Sequence, residues 1–457
     1  MHFVALVPGV VATWAALRRS PARAWLDVYL PVLLLIPDYY KTVLPVLPDP
    51  TPNQGAIVAI AAVWLARGGA ARWRFSATDA LVLAYFALTT LTELVNKNAS
   101  EAQNIGFESF ATVVLPYAIA KALIEPEGLR DRTARRIVLL TGIVAVLSLW
   151  EFRMGRPVFK TFLAPLFPGQ GNWTDSIRYG FTRVAGPYGH AILAGIIFLC
   201  AYRLARWLEW TGQWRERVPK LPVRMSRARL GALLSLAASI MTIARGPWIG
   251  ALAGGVVLLV ARAKNRQRAL LTLVLVVVCL GAPAVGAMRA YVAVGRNGAK
   301  TAEQETAAYR KELVDKYVSI AADHAWLGWG RAGWPKVPGM DSTDNAYLLL
   351  ALNHGFVSLA VFLALLLHAS VRLCAFGARR GRASPSGLLA FTLLGCNVLF
   401  GIALATVYHG EQTVQLFFLL TGWGEGLVLG LAPARSRVAP RSPAATTTTY
   451  RFRRVLA

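Results

Sequence analysis

Charged residues are scarce in this chain, and acidic residues are the scarcest. Only 16% of the 457 residues are charged, whereas 56% are hydrophobic. A soluble protein carries about 25% charged residues. The apolar runs, taken with their flanks, approach or reach the roughly 20 residues that cross a bilayer. This composition excludes a soluble enzyme with a single anchor and predicts an all-α polytopic membrane protein.

The shortage of acidic residues leaves a formal net charge of +26, from 49 Lys and Arg against 23 Asp and Glu. The basic residues cluster between alternate hydrophobic segments, as in "RRSPAR" (18–23) and "RAKNRQR" (262–268). Such alternation is typical of the cytoplasmic loops of membrane proteins, and a nucleic-acid surface does not predict it. We therefore expect about twelve or thirteen transmembrane helices and no nucleic-acid partner.

The same pattern divides the chain into three parts. We predict N-terminal transmembrane helices over 1–135, a membrane domain over 136–432, and a basic, disordered cytoplasmic tail over 433–457. A long loop over 289–343 lies within the membrane domain, and the charge pattern places it on the side opposite the basic loops.

Cysteine is also rare, and several catalytic signatures are missing. The four cysteines form no CxxC pair, which excludes a zinc ribbon or a disulfide framework. The sequence contains no HExxH, no P-loop, no GxSxG and no dense acidic cluster. ATP hydrolysis and metalloprotease chemistry therefore have no support, and we expect neither a metal nor a cofactor.

The long loop contains a helical pattern. In "TAAYRKELVDKYVSIAADHAWLGWG" (306–330), Tyr309, Leu313, Tyr317 and Ile320 recur on one face. We predict an amphipathic helix that lies on the outer membrane surface, with Arg310 on its polar face. The glycine-tryptophan segment that follows is expected at the headgroup level, where Trp is favoured.

Two arginine-containing stretches precede hydrophobic segments. In "RYGFTRVAGPYGHAILAG" (178–195), Arg183 and the amides of the next helix could bind an anion, or Arg183 could only face headgroup phosphates. His190 is either a helix cap or a substrate-binding group. In "TIARGPWIGALAGG" (242–255), Arg245 lies in a tight hairpin and needs an anionic partner, either a phosphate or a carboxylate such as Glu151; the alternative is snorkelling.

A third polar stretch, "DSTDNAYLLLALNHG" (341–355), opens a late hydrophobic helix. Thr343 or Asp344 is the expected N-cap, and Asp344 is expected on one face with the Tyr347 hydroxyl. A carboxylate there could accept a proton from a sugar hydroxyl, or it could only cap the helix. Asn353 and His354, two turns deeper, are expected to be interhelical hydrogen-bond partners.

Taken in order, "RVAGPYGH", "ARGPWIG", the loop ending in "AWLGWG", and "DNAYLLLALNHG" resemble the O-antigen ligase and O-antigen polymerase superfamily of bacterial inner membranes, over about residues 136 to 430. The resemblance implies a metal-independent, inverting glycosyl transfer on the periplasmic side. The implied donor is an undecaprenyl-pyrophosphate-linked glycan, and the implied acceptor is a lipid A–core sugar or another lipid-linked repeat unit.

The resemblance also suggests roles for individual residues. Arg245 would bind the pyrophosphate, helped by Arg183 and Arg310. Asp344 occupies the position where members often have a histidine, and it could still activate the acceptor hydroxyl. This departure favours a polymerase over a core ligase without excluding the ligase, and Asn353-His354 replace the glutamate of the usual ending.

Two other functions remain open at this stage. A transporter or flippase of lipid-linked sugar is allowed by Glu93, Glu108 and Glu151 within hydrophobic segments. A scaffold subunit of an envelope-assembly complex, without chemistry of its own, is the other. The sequence shows no internal repeat of the kind that transporters often have. Membrane lipids and proteins of polysaccharide assembly are the further partners to expect.

Overall fold

The protein is described by a computed structural model that covers residues 3–42, 48–168, 170, 176–218, 225–340, 343–381, 384–410 and 412–430. Asp341 lies outside these described residues, and so does the predicted tail over 433–457. Helices account for nearly all of the regular structure. In chain order they are α1 Val7–Arg18, α2 Pro21–Ala24, α3 Leu30–Leu35, α4 Pro52–Ala66, α5 Ala77–Asn96, α6 Ala99–Ser109, α7 Leu115–Leu123, α8 Arg130–Met154, α9 Val158–Leu163, α10 Ala191–Thr211, α11 Arg227–Met241, α12 Arg245–Arg262, α13 Arg266–Val292, α14 Ala302–Asp323, α15 Ala346–Arg379, α16 Pro385–Ala403 and α17 Gln412–Val428.

The predicted all-α polytopic architecture is confirmed. Seven helices in the described part of the chain are long and apolar enough to cross a membrane. They are α5, α6 continued through α7, α8, α10, α13, α15 and α16. This number is lower than the twelve or thirteen predicted, because several hydrophobic segments form shorter helices. For example, α11 has 15 residues and α17 has 17.

Glycine allows two of the helices to approach very closely. A Cβ atom on Gly254 of α12 would lie 2.4 Å from the carbonyl oxygen of Gly395 of α16, and one on Gly250 would lie 2.8 Å from that of Leu399. Small residues at such crossings permit backbone contact between transmembrane helices. The contact fixes α12, which begins at Arg245, against α16.

Buried ion pairs join helices at several crossings. Lys121 of α7 lies 2.6 Å from Asp79 of α5, and both side chains are almost fully buried. Arg372 of α15 pairs with Glu425 of α17 at 2.5 Å. A charge inside a membrane bundle requires such a partner, so these pairs specify which helices are neighbours. The four cysteines are free thiols.

The helix predicted in the long loop is present as α14. Its apolar face packs against protein, and its predicted position on the outer membrane surface stays a prediction. Leu313 and Tyr317 are buried against Met340 and the first turns of α15, and the Tyr317 hydroxyl donates a 2.8 Å hydrogen bond to the Met340 carbonyl. Because protein covers the apolar face, α14 forms a packed layer over the start of α15.

Helix α15 is interrupted at Gly355, where φ is +77° and ψ is 170°. The segment after α14 packs into this break. Trp329 N–H donates to the Leu352 carbonyl at 2.8 Å, and Gly330 N–H donates to the Asn353 carbonyl at 2.9 Å. The Phe356 N–H donates to Ala325 at 2.7 Å. Backbone groups released by the break are therefore satisfied, as a membrane environment requires.

Candidate active site

A short hairpin brings the first arginines to the turn between α11 and α12. Ile177–Arg178 pairs with Phe181–Thr182 as two antiparallel strands. Arg178 donates from Nη1 to the Ile243 carbonyl at 3.3 Å, and Arg183 donates from Nε to the Thr242 carbonyl at 3.1 Å. The two stretches that the sequence separated by about 60 residues therefore meet at one turn.

Arg245 begins α12 beside this hairpin. Its Nη2 donates a 2.6 Å hydrogen bond to the Tyr179 hydroxyl, and its side chain remains exposed. Tyr179 and Ile243 both have positive φ, at 54° and 47°. Left-handed backbone at residues other than glycine costs free energy and concentrates at functional sites. We refer to Arg178, Arg183 and Arg245 as the arginine cluster.

The electrostatics of the arginine cluster favour an anion. The Arg183 side chain is 8% exposed. Burial and then the positive charge of Arg178 lower the pKa of Arg183 to about 10, while the negative charge of Asp344 opposes the shift. A cation in this environment is stabilised by nearby negative charge. Glu151 accepts hydrogen bonds from the Ala185 and Gly186 amides. These bonds hold the turn between Arg183 and α10 in place.

His190 lies at the N-terminus of α10 and caps it. Its Nδ1 accepts a 3.1 Å hydrogen bond from the Ile192 amide, so Nε2 carries the proton in the neutral ring. Burial and then the positive charge of Arg183 lower the pKa of His190, while Asp344 raises it. The predicted capping role is present, and the ring also faces the electrostatic field of the arginine cluster and Asp344.

Asp344 is not the cap of α15, so the predicted N-cap is wrong. The cap is Asn345, whose Oδ1 accepts hydrogen bonds from the Tyr347 amide at 3.0 Å and the Leu348 amide at 3.2 Å. Asp344 therefore precedes the helix, is exposed, and interacts electrostatically with Arg183 and His190. An amide at Asn345 satisfies the helix start as well as a carboxylate would.

Tyr347 and Arg310 are positioned differently from what the sequence suggested. The Tyr347 hydroxyl donates a 2.5 Å hydrogen bond to the Gly401 carbonyl and so joins α15 to α16. It does not form the expected shared face with Asp344, because Asp344 lies outside the helix. Arg310 is exposed on α14 and makes no hydrogen bond or ion pair within the described residues. Its role in pyrophosphate binding stays a prediction.

A cavity of about 920 Å³ lies at the start of α15 and near His190. Its wall combines the segment between α3 and α4 with α5, α6, the start of α15 and the segment before α17. Two lining residues lie near His190 or Asp344. The Tyr408 ring centroid lies 6.4 Å from that of His190, and the Ala346 amide, two residues after Asp344, donates to the Val407 carbonyl. We refer to this space as the acidic cavity, because carboxylates dominate its charged groups.

Asn353 and His354 line the acidic cavity. They were expected to form interhelical hydrogen bonds, but neither side chain makes a hydrogen bond within the described residues. The His354 Nδ1 atom lies 3.9 Å from Glu93 Oε1, which is too long for one. The break at Gly355 directs the backbone carbonyl of Asn353 to the Gly330 amide.

Arg331 is a cavity residue that the sequence did not indicate. Its Nη1 lies 2.7 Å from Glu108 Oε2, and its amide donates to Glu93 Oε1 at 2.7 Å. Glu108 is the main reason that the pKa of Arg331 is raised. Glu93 and Glu108 lie in hydrophobic segments, so the sequence predicted a cationic partner for them. It did not indicate that Arg331 is this partner.

Residues 230–363 match the family described as "O-Antigen ligase", Wzy_C. The matched stretch is similar to an O-antigen ligase domain and covers part of the chain. The resemblance to the O-antigen ligase and polymerase superfamily is thereby confirmed. Arg245, Arg310, Asp344 and Tyr347 lie in the matched stretch, whereas Arg183 precedes it. No curated protein sequence matches the chain.

Proposed function

We propose that the protein is a glycosyltransferase that moves a glycan from undecaprenyl pyrophosphate to a hydroxyl of an acceptor sugar. The observation that carries the proposal is the arginine cluster, with the acidic cavity near His190, in a multi-pass membrane protein that matches the O-antigen ligase family over residues 230–363. The acceptor is either a growing glycan, for a polymerase of O-antigen or exopolysaccharide, or a lipid A–core sugar, for a ligase.

The arginine cluster binds the pyrophosphate in this proposal. Guanidinium groups present several donors in one plane and hold phosphate oxygens in pairs. Arg183 is held by its hydrogen bonds to Thr242 and Ser176, so it is oriented before the donor arrives. Preorganised positive charge stabilises the negative charge that develops on a leaving group. Positively charged side chains thus supply the electrophilic assistance, and the reaction is metal-independent.

Asp344 accepts the proton of the acceptor hydroxyl. That oxygen attacks C1 of the donor sugar from the face opposite the pyrophosphate, the C1–O bond to phosphate breaks, and the electron pair leaves with the lipid pyrophosphate. A single displacement inverts C1. Asp344 is suited to this role because it is exposed, does not cap α15, and interacts electrostatically with Arg183 and His190.

The reaction occurs at the periplasmic end of a bundle in the inner membrane. The support is the sequence pattern, which assigns the basic loops to the cytoplasm and the loop carrying α14 to the opposite side. The donor lipid would lie along the apolar helix surfaces, with its pyrophosphate at the membrane boundary near the exposed Arg245.

The decisive experiment measures glycan transfer by purified protein in nanodiscs, with an undecaprenyl-pyrophosphate glycan and an acceptor. We expect Arg245→Ala and Arg183→Ala to lower kcat/KM roughly 10²–10³-fold, and Arg245→Lys to recover part of it. Lys311→Ala is the matched control, because Lys311 pairs with Asp315 on the exposed face of α14. Normal product from Arg245→Ala would refute the phosphate role. Movement of the lipid across a sealed bilayer with its glycan unchanged would instead identify a flippase.

A further inference from the structure

The acidic cavity has more carboxylates than cations. Among the described residues its wall contains four carboxylates and two permanent cations. The carboxylates are Asp38, Asp49, Glu101 and Glu108, and the cations are Lys41 and Arg331. None of these residues belongs to residues 230–363 except Arg331, so most of the charge in the cavity comes from outside the O-antigen ligase domain.

Ion pairs neutralise two of the four carboxylates. Lys41 lies 3.1 Å from Asp49, and Arg331 lies 2.7 Å from Glu108. Asp38 accepts hydrogen bonds from the side-chain amides of Asn53 and Gln415, each at 3.1 Å. These amides are neutral, so they orient the carboxylate without cancelling its charge. Glu101 lies at the exposed side of the cavity, on α6.

The wall also has the features of a carbohydrate site. Asn353 Oδ1, His354 Nδ1 and His409 Nε2 are buried without a hydrogen-bond partner among the described residues. Buried polar atoms usually have partners, so a wall with three unpaired ones is suited to a ligand that both donates and accepts. Tyr85 and Phe362 add aromatic surface, against which the apolar face of a sugar ring can pack.

We propose that the acidic cavity is the acceptor-glycan subsite and that it selects sugars without negative charge, namely neutral hexoses and amino sugars, over uronic acids. This inference rests on the proposed glycosyl transfer. The volume lies within the roughly 300–1,000 Å³ of ligand sites, enough for more than one sugar ring. Of the wall residues, Tyr408 lies near His190 and Ala346 follows Asp344 by two residues, so in this proposal an acceptor bound in the cavity presents its terminal hydroxyl near Asp344.

The charge selection follows from Coulomb's law. A uronic acid would bring a carboxylate next to Asp38 and Glu101, and like charges at close range in a partly dehydrated site repel. A neutral hexose meets no such cost, and the ammonium group of an amino sugar is attracted. Like-charge juxtaposition is a recognised source of discrimination between ligands.

The test uses two acceptor oligosaccharides that differ only at C6 of the terminal hexose, one with a hydroxymethyl group and one with a carboxylate. With wild-type protein in nanodiscs, we expect the KM for the carboxylate acceptor to be roughly tenfold higher. Glu101→Gln should narrow this difference and Glu101→Lys should abolish it, with the KM for the donor unchanged. Glu312→Lys is the control, since Glu312 pairs with Lys316 on the exposed side of α14 and does not line the cavity.

The outcomes separate the subsite from the reaction. Equal KM values for both acceptors would overturn the subsite. So would a KM difference between the two acceptors that is as large in Glu101→Lys as in Glu312→Lys. A change confined to the KM for the donor would overturn the assignment to the acceptor. If wild-type protein transfers to neither acceptor, the proposed function fails. Saturation-transfer NMR with the same oligosaccharides then tests the subsite separately from the reaction, because it needs no turnover. Saturation transfer to the neutral oligosaccharide and not to the carboxylate one would support the subsite, and equal transfer to both would overturn it.

Discussion

Gly328 and Gly355 meet backbone to backbone at the interruption of α15. A Cβ atom on Gly355 would lie 2.8 Å from the Gly328 amide nitrogen and 2.3 Å from the Trp326 carbonyl oxygen. Gly328 also has positive φ, at 65°, and its own Cβ would lie 2.5 Å from the Asn353 carbonyl carbon. No side chain fits between these backbones, so glycine at both positions is what lets the segment after α14 enter the break.

Gly355→Ala should therefore destabilise the protein. The new methyl group meets rigid backbone, and φ of +77° adds strain; we expect a loss of about 1–3 kcal/mol or more, read as a lower midpoint in thermal unfolding followed by size-exclusion chromatography. Gly281→Ala is the matched control, because a Cβ on Gly281 of α13 meets nothing within 4 Å. That variant should be unchanged or slightly more stable. Equal midpoints for the two variants would argue against a tight backbone crossing at Gly355.

Variants at Asp344 and Asn345 should distinguish a role in the reaction from a role in capping α15. Asn345→Ala removes the acceptor for two amides and should cost about 1 kcal/mol of stability, with a modest effect on turnover. Asp344→Asn should leave the thermal midpoint unchanged and lower kcat by roughly 10²-fold or more, because the amide cannot take a proton. Both variants are compared by thermal unfolding and by the glycan-transfer assay. Full turnover by Asp344→Asn would remove Asp344 as the base.

Lys121→Met should be strongly destabilising. Lys121 and Asp79 are 1% and 3% exposed, and removing one partner leaves a buried carboxylate without its cation, at a cost of about 3–5 kcal/mol. Adding Asp79→Asn in the same chain should recover part of the loss, which a double-mutant cycle measures. Lys311→Met, in the exposed pair with Asp315, should cost less than about 1 kcal/mol. Similar losses for the two single variants would contradict the burial of the Lys121 pair.

Asp38 should make stability depend on pH. Burial, more than the nearby Glu108, raises the pKa of Asp38 to about 6. The folded protein therefore holds this proton more tightly than the unfolded chain, so the contribution of Asp38 to stability falls as pH rises from about 4 to 6 and stays low above that. Asp38→Asn removes this titration. Its thermal midpoint should exceed that of the wild type at pH 8 by more than it does at pH 4, and a constant difference between these pH values would contradict the raised pKa.

Much of the fold follows from local sequence properties. Hydropathy and charge predicted a polytopic helical membrane protein, and apolar periodicity predicted α14, because both depend on residues within a turn or two of each other. The motifs around Arg183, Arg245 and Asp344 also pointed to one site. The number of long spans and the environment of α14 were predicted less well, since the lengths of hydrophobic runs do not show where a helix ends or what covers it.

By itself, then, the sequence determined the class of the protein, its resemblance to the superfamily and the candidate residues of the site. Only the tertiary structure decided that Asn345 and not Asp344 caps α15, that Arg331 pairs with Glu108, and that Gly328 packs against Gly355. The choice of cap is local, but it depends on where α15 begins, since both Asp344 and Asn345 can cap a helix. Hydropathy and helix periodicity are properties of neighbouring residues, whereas the Arg331–Glu108 and Gly328–Gly355 contacts join segments tens or hundreds of residues apart. Their formation depends on how the helices pack, and the spacing of residue types along the chain carries no record of that packing.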